Sequence, residues 1–211
     1  MVYFFYRLLF VIALTSTVSF AGGKISKHEL PSPQESIVFI KGLIDKGTVA
    51  VNKENATQDA LGSILKENFD VNEIARFALG IHVRKFSPDQ FARFKDVFEK
   101  RLVQVYSTKD KIAAFKDSIP TVLESYVKQA DGTLMVKSTF RKKEGGGEPA
   151  KVDWNVIKII EGTGSRLAVT DVLFENLSQR IAFRSEYGSL FTGEGKGDPE
   201  RFIKFLAGQV G

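Results

Sequence analysis

The chain reads as a single α+β domain in which an amino-terminal helical half packs on a four-stranded antiparallel meander sheet and two helices close the carboxyl end. Three observations predict this. Apolar residues recur at intervals of three and four up to about Phe115. From there to about Glu175 they alternate with polar ones in four runs separated by glycine-bearing turns. The helical period then returns twice, so strands lie between two sets of helices in one chain of domain size.

The elements follow in order. Ser32-Pro33-Gln34-Glu35 holds both halves of a capping box with proline at the first helical position, and Ile37, Ile40, Leu43 and Ile44 come after it at helical spacing. This first helix extends to about Val51. Thr57 opens a shorter one bearing Leu61, Ile64 and Leu65, and Asp70 and Glu73 cap a third that stops at Gly80. Ser87-Pro88-Asp89-Gln90 repeats the start signal. Phe91, Phe94, Phe98, Leu102 and Val105 then share one helix face, while Arg93, Lys95, Asp96, Lys100 and Arg101 take the other. The strands are expected at 121–128, 133–141, 150–160 and 166–175. Turns at Ala130-Asp131-Gly132, Gly145-Gly146-Gly147 and Gly162-Thr163-Gly164 separate them. Closing helices at 177–191 and 198–208 flank the glycine-rich loop 193–197.

The first residues carry Arg7, an apolar-to-small run over 8–18, and Ser19-Phe20-Ala21 ahead of two glycines. A charged start, a run too short to cross a bilayer and small residues at the cut describe a secretory signal, removed near Ala21. A retained anchor is the alternative, because Arg7 is the sole basic side chain before the run. Cleavage leaves a flexible polar leader over 22–31 and one folded domain over 32–211. No later apolar run approaches membrane-spanning length, so the mature chain is expected to be soluble. Cysteine is absent, which leaves an exported chain dependent on its core and excludes a thiol nucleophile or thiolate metal site. Losing Arg7 lowers the formal charge from +5 to +4, and basic residues are interleaved with acidic ones, a pattern that argues against nucleic acid as a partner.

Catalytic and cofactor motifs are weak. Gly162-Thr163-Gly164 and the loop 193–197 lack the strand-to-helix setting and the Lys-Ser or Lys-Thr ending of a phosphate loop, and read as turns. His28 and His82 are the only histidines and support neither a three-ligand zinc site nor a catalytic triad. No metal, no cofactor and no catalytic residue is therefore assigned. Asp153 and Asp171 interrupt apolar strands and either pair as acid and base or face outward on basic neighbours; the second reading is preferred. A cavity enzyme with Asp153 as base stays open as a rival to a binding protein. The mature part also carries 14 Phe. Val152, Trp154 and Val156 share one strand face, Val172 and Phe174 share a face of the next, and the helix from Phe91 offers an aromatic stripe. Periodicity cannot tell a filled core from a hollow one, and on the pattern alone the filled core, a helix packed on the sheet, is the preferred reading.

Five stretches in order resemble the MlaC family, the periplasmic phospholipid-binding components of the Mla lipid-transport pathway, also known as toluene-tolerance auxiliary components. They are residues 68–80, Ser87-Pro88-Asp89-Gln90-Phe91 with the helix through Tyr106, Lys151-Val152-Asp153-Trp154, residues 170–178, and Arg184-Ser185-Glu186-Tyr187. Asn176 stands where the family commonly has glycine. The resemblance implies a helix-and-sheet domain with an apolar cavity between helices and sheet, which takes a phospholipid's acyl chains and leaves its head group near solvent. It also implies hand-over between an outer-membrane lipoprotein complex and an inner-membrane ABC transporter assembly of the MCE type, as part of outer-membrane lipid asymmetry. Relatives also accompany hopanoid-synthesis genes, so a hopanoid is the alternative cargo. Asp153 and Asp171 match recurring family positions without a catalytic role.

On this basis the lipid is expected between the 77–98 helical region and the strand faces, lined by Phe77, Phe91, Phe94, Phe98, Trp154, Val156, Val172 and Phe174. Burying some thirty methylenes at ~0.8 kcal/mol each gains on the order of 20 kcal/mol over water and almost nothing over a bilayer, so an apolar cavity can both take and return a lipid. Amino-terminal sequencing of the protein from the cell envelope is expected to begin at Gly22, and a start at Met1 would identify a retained anchor.

Overall fold

The computed structural model describes residues 27–52, 58–145 and 147–210. The export signal over 1–21, the first half of the leader and the Thr57 start of the second helix lie outside these residues. Helix starts are set locally, as expected. Before α1 (Pro33–Asn52) the Ser32 N–H donates to Glu35 Oε1 at 3.0 Å and the Glu35 N–H donates to Ser32 Oγ at 3.2 Å. After α2 (Gln58–Asn68), Asp70 caps α3 (Val71–Leu79) by accepting the Glu73 N–H at 3.0 Å, and Gly80 ends it with φ 53°, a conformation that favours glycine. A 3₁₀ stretch, Gly80–Lys85, leads to the second capping box, Ser87 with Gln90, and α4 (Pro88–Tyr106). An eight-residue α5 (Lys109–Lys116) follows, too short for two apolar positions to declare a period.

The sheet keeps the meander, with β2 (Ser118–Lys128), β3 (Leu134–Lys142), β4 (Ala150–Glu161) and β5 (Gly164–Phe174) antiparallel in that order. Among the described residues it has six strands and not four. β3 pairs with β4 from Phe140↔Ala150 to Leu134↔Val156, whereas β4 runs on to Glu161. That overhang would leave backbone groups unpaired, and β1 (Lys27–Glu29) takes it, from Lys27↔Ile160 to Glu29↔Lys158. The leader assigned to 22–31 is corrected accordingly, since its second half adds a strand. β6 (Leu177–Ser178) folds back on β5 through Glu175 (φ 47°) and Asn176 (φ 67°), a two-residue turn with both φ positive. Asparagine tolerates that geometry best after glycine, which suits Asn176 to its φ of 67°. α6 (Gln179–Thr192) starts on the Ser178 cap and α7 (Pro199–Ala207) on Asp198.

Two large hydrophobic clusters result, beside a small one of Ile157, Ile159 and Ala168. In the first, α4 turns its stripe toward α6 and α7. Phe94 lies 5.7 Å from Phe98, 5.9 Å from Tyr187 and 5.9 Å from Phe202 between ring centroids, and Phe98 lies 5.2 Å from Tyr187. In the second, Ile37, Ile40, Leu43 and Ile44 of α1 cover Leu134, Val136, Val152, Val156, Val169 and Val172 of the sheet. The helix on the sheet is thus α1 and not α4. Rings of α4 meet other rings at tilted and edge-on angles, which flat aliphatic strand faces cannot supply. Phe69 borders both clusters.

Phe94→Ala is expected to lower the unfolding free energy by about 3–5 kcal/mol, against about 1 kcal/mol for Ser87→Ala, in urea denaturation. Equal losses would show that the ring cluster is not the principal core of the helical half.

Candidate functional site

The interface between the two clusters contains the smaller of two spaces. Leu65 and Phe69 of α2 and its exit, Ile74 of α3, and Leu102 and Tyr106 of α4 form one wall of a gap of about 20 Å³. Val172, Phe183, Thr170 and Asp171 form the other, with Gln179 and Arg180 at the start of α6. The volume is room for about one water, so the seam is closed. Its walls are apolar apart from the α6 end. Burial, and then the nearby Asp171 charge, push the Tyr106 phenol far above its ordinary pKa, as befits a hydroxyl in an apolar wall.

A larger space, about 340 Å³, opens beside β1. His28, Glu29 and Leu30 border it on one side, Glu73 and Phe77 of α3 on another, and the turn Asp131-Gly132-Thr133 with Ile157 completes it. Thr170 and Arg180 line both spaces. The Arg180 guanidinium donates through Nη2 to Asp131 Oδ2 at 2.8 Å, lies 3.8 Å from Asp171 Oδ2, and sits 4.5 Å over the Phe77 ring. Asp131 is held in place by the Thr133 N–H at 3.1 Å and the Thr133 hydroxyl at 2.8 Å. His28 Nε2 lies 3.6 Å from Asp70 Oδ2, tying β1 to the start of α3.

The two strand carboxylates do not form an acid/base pair. Asp171 accepts the Ser178 hydroxyl at 2.6 Å and the Arg180 N–H at 3.0 Å, so it fastens the first turn of α6 to β5. Asp153 stands opposite Leu173, and burial raises its pKa against the opposing pull of Lys137. Nothing polar from the seam converges on it.

The eight expected lining residues are dispersed. Phe94 and Phe98 are fully enclosed by other rings, and Phe91 is buried beneath the Arg76 guanidinium at 4.4 Å. Trp154 and Val156 lie in the sheet cluster, where the Trp154 indole N–H donates to Ser138 Oγ at 3.0 Å. Phe77 lines the outer space, and Phe174 is 43% exposed at the β5 end. Only Val172 borders the seam. The other residues along the seam include Leu65, Phe69, Ile74, Leu102, Tyr106, Phe183 and Arg180. Leu102 and Tyr106 continue the α4 stripe and Phe69 precedes the Asp70 cap, but periodicity marks a face and not the partner that it meets.

A family model described as MlaC protein matches residues 42–207. No curated protein matches the sequence. Among solved structures, the phospholipid-binding protein from Ralstonia solanacearum, in complex with a phospholipid, is similar with a TM-score of 0.63 at 16% identity, over 82% of this chain and 97% of that one. At that identity the similarity establishes a shared fold.

The Asp131 carboxyl lies below its ordinary pKa: burial raises it, but the bonds from Thr133 and Arg180 together outweigh burial. A carboxyl lowered in the folded state adds stability above its unfolded pKa and loses it as pH falls through the folded value. The tie from Asp131 to Arg180 is therefore expected to persist below the ordinary carboxylate value of about 4. Carboxyl NMR titration checks this, and a midpoint above that value would contradict it.

Proposed function

The chain belongs to the MlaC family, whose model matches residues 42–207, and from that premise we propose that it is a periplasmic carrier of phospholipid, which it shuttles between outer-membrane and inner-membrane complexes. The observation that carries this reading is the apolar seam between two clusters that each close on themselves. Leu102 and Phe183 belong to the helical cluster and Val172 to the sheet cluster, so parting them along this line separates contacts between the clusters, with Phe69 shared by both. Small-molecule sites hold roughly 300–1,000 Å³, so the closed seam must widen for acyl chains to enter. Trp154 and Val156 would then join Val172 on the sheet side. Among the described residues no helix is long and apolar enough to cross a membrane, in keeping with a carrier that leaves one membrane for another.

The dispersal over water is energetically reasonable. Chains held in apolar walls are protected from water, yet gain little relative to a bilayer and so can be given back. Binding here needs no reaction at the strand carboxylates, because Asp171 is occupied in holding α6.

Native mass spectrometry of protein purified from cells, paired with organic extraction, is expected to find one phospholipid per chain. A uniformly ligand-free chain with no lipid in the extract would overturn the carrier reading.

A further inference from the structure

Resting on the carrier reading, we infer that the corner where β5 turns through β6 into α6 is a membrane-docking tip, which enters the surface of a phospholipid bilayer and brings the seam to it. Phe174 and Leu177 stand opposite each other across the β5–β6 turn and so share one face. Ile181 follows in the first turn of α6, its N–H donating to Ser178 Oγ at 3.2 Å. Leu177 is 71% exposed, Ile181 60% and Phe174 43%. Large apolar side chains gathered in water on one corner mark a surface that meets something apolar.

The corner adjoins the seam through both of its elements. Val172, two residues before Phe174 on the same strand face, borders the seam, and along α6 the seam residues Gln179, Arg180 and Phe183 flank Ile181 on either side. An acyl chain that leaves a bilayer at Phe174 and Leu177 therefore meets Val172 next. The corner is also held firmly. Glu175 and Asn176 form a two-residue turn, and Asp171 accepts the Ser178 hydroxyl at 2.6 Å and the Arg180 N–H at 3.0 Å. The exposed Ile119, Leu123, Tyr126 and Val127 of β2 stand at the opposite edge of the sheet, away from this wall.

Area and charge favour a bilayer over a protein as the occupant. Side chains of roughly 200 Å² or less each, about half exposed, offer on the order of 300 Å² among the three of them. A specific protein interface covers about 800 Å² on each partner. A bilayer needs no matching surface and takes a few apolar side chains at its acyl boundary. Exposed cations flank the corner. Arg184 lies one turn beyond Ile181 on α6, leaning on the Phe77 ring at 5.3 Å, and Lys151 stands beside the turn, its carbonyl accepting the Glu175 N–H at 3.0 Å. The Glu175 carboxylate bends back onto the Lys151 N–H at 2.8 Å. Such a rim suits a surface bearing anionic head groups.

Flotation of the full mature protein with vesicles of equimolar phosphatidylcholine and phosphatidylglycerol tests this, with copurified lipid in the same preparations read by native mass spectrometry. The unmodified protein is expected to float with the vesicles. Leu177→Ser and Ile181→Ser are each expected to lower partitioning by about tenfold, the scale of one large apolar side chain withdrawn from the bilayer, while carrying lipid as before. Ile119→Ser, on the opposite edge, is expected to leave partitioning unchanged. No flotation of the unmodified protein, or an equal loss in Ile119→Ser, overturns the docking inference and leaves the carrier reading standing. Self-association that Leu177→Ser abolishes, without vesicle binding, overturns it in favour of a second copy of the chain. Protein that floats but carries no lipid in any preparation overturns the carrier reading and leaves the docking tip standing.

Discussion

The joint between Asp70 and Val169 organises the molecule. The Asp70 N–H donates to the Val169 carbonyl at 2.9 Å, and Phe69 forms a parallel bridge to the same residue, which fastens the helical half to the edge of β5. At this point β5 bulges: Asn155 faces Asp171 and Val156 faces Val169, with Thr170 left over. Val169 and Val172 then both serve the inner face, and Thr170 lines the seam and the outer space together. Asp70 also caps α3 and holds His28 of β1. One backbone joint thereby sets the relation of two clusters, a strap and both spaces.

A binding site at such a joint has a physical logic. Close-packed cores resist insertion, because every displaced side chain loses contacts on all sides. The boundary between two independently packed clusters is where opening costs least. The polar end of that boundary is furnished by the start of α6, where Asp171 and Asp131 hold Arg180 over Phe77. Apolar and polar surroundings thus lie a few side chains apart.

Local features were legible in the sequence and non-local ones were not. Both capping boxes, the Asp70 cap and the Gly80 stop depend on residues within four positions of each other, and each stands where its pattern put it. The meander was legible because its turns carry glycine with positive φ at Gly132 and Gly162. β1 and β6 escaped notice because three and two residues cannot display an alternation. The placement of α1 and not α4 on the sheet was equally hidden, since a stripe shows that a face is buried without saying against what. Phe94 and Phe98 therefore looked like cavity walls and are core. Arg180 carries no signal in the sequence, because a lone arginine in a helix start acquires meaning only beside Asp131, which is distant in sequence.

The central claim is that acyl chains occupy the seam between the helical cluster and the sheet. A crystal structure of the protein carrying its copurified lipid tests it most directly. Chains are expected between Leu102 and Phe183 on one side and Val172 on the other, with the Asp70–Val169 joint intact. Chains found outside the seam, with the gap still closed, would contradict it.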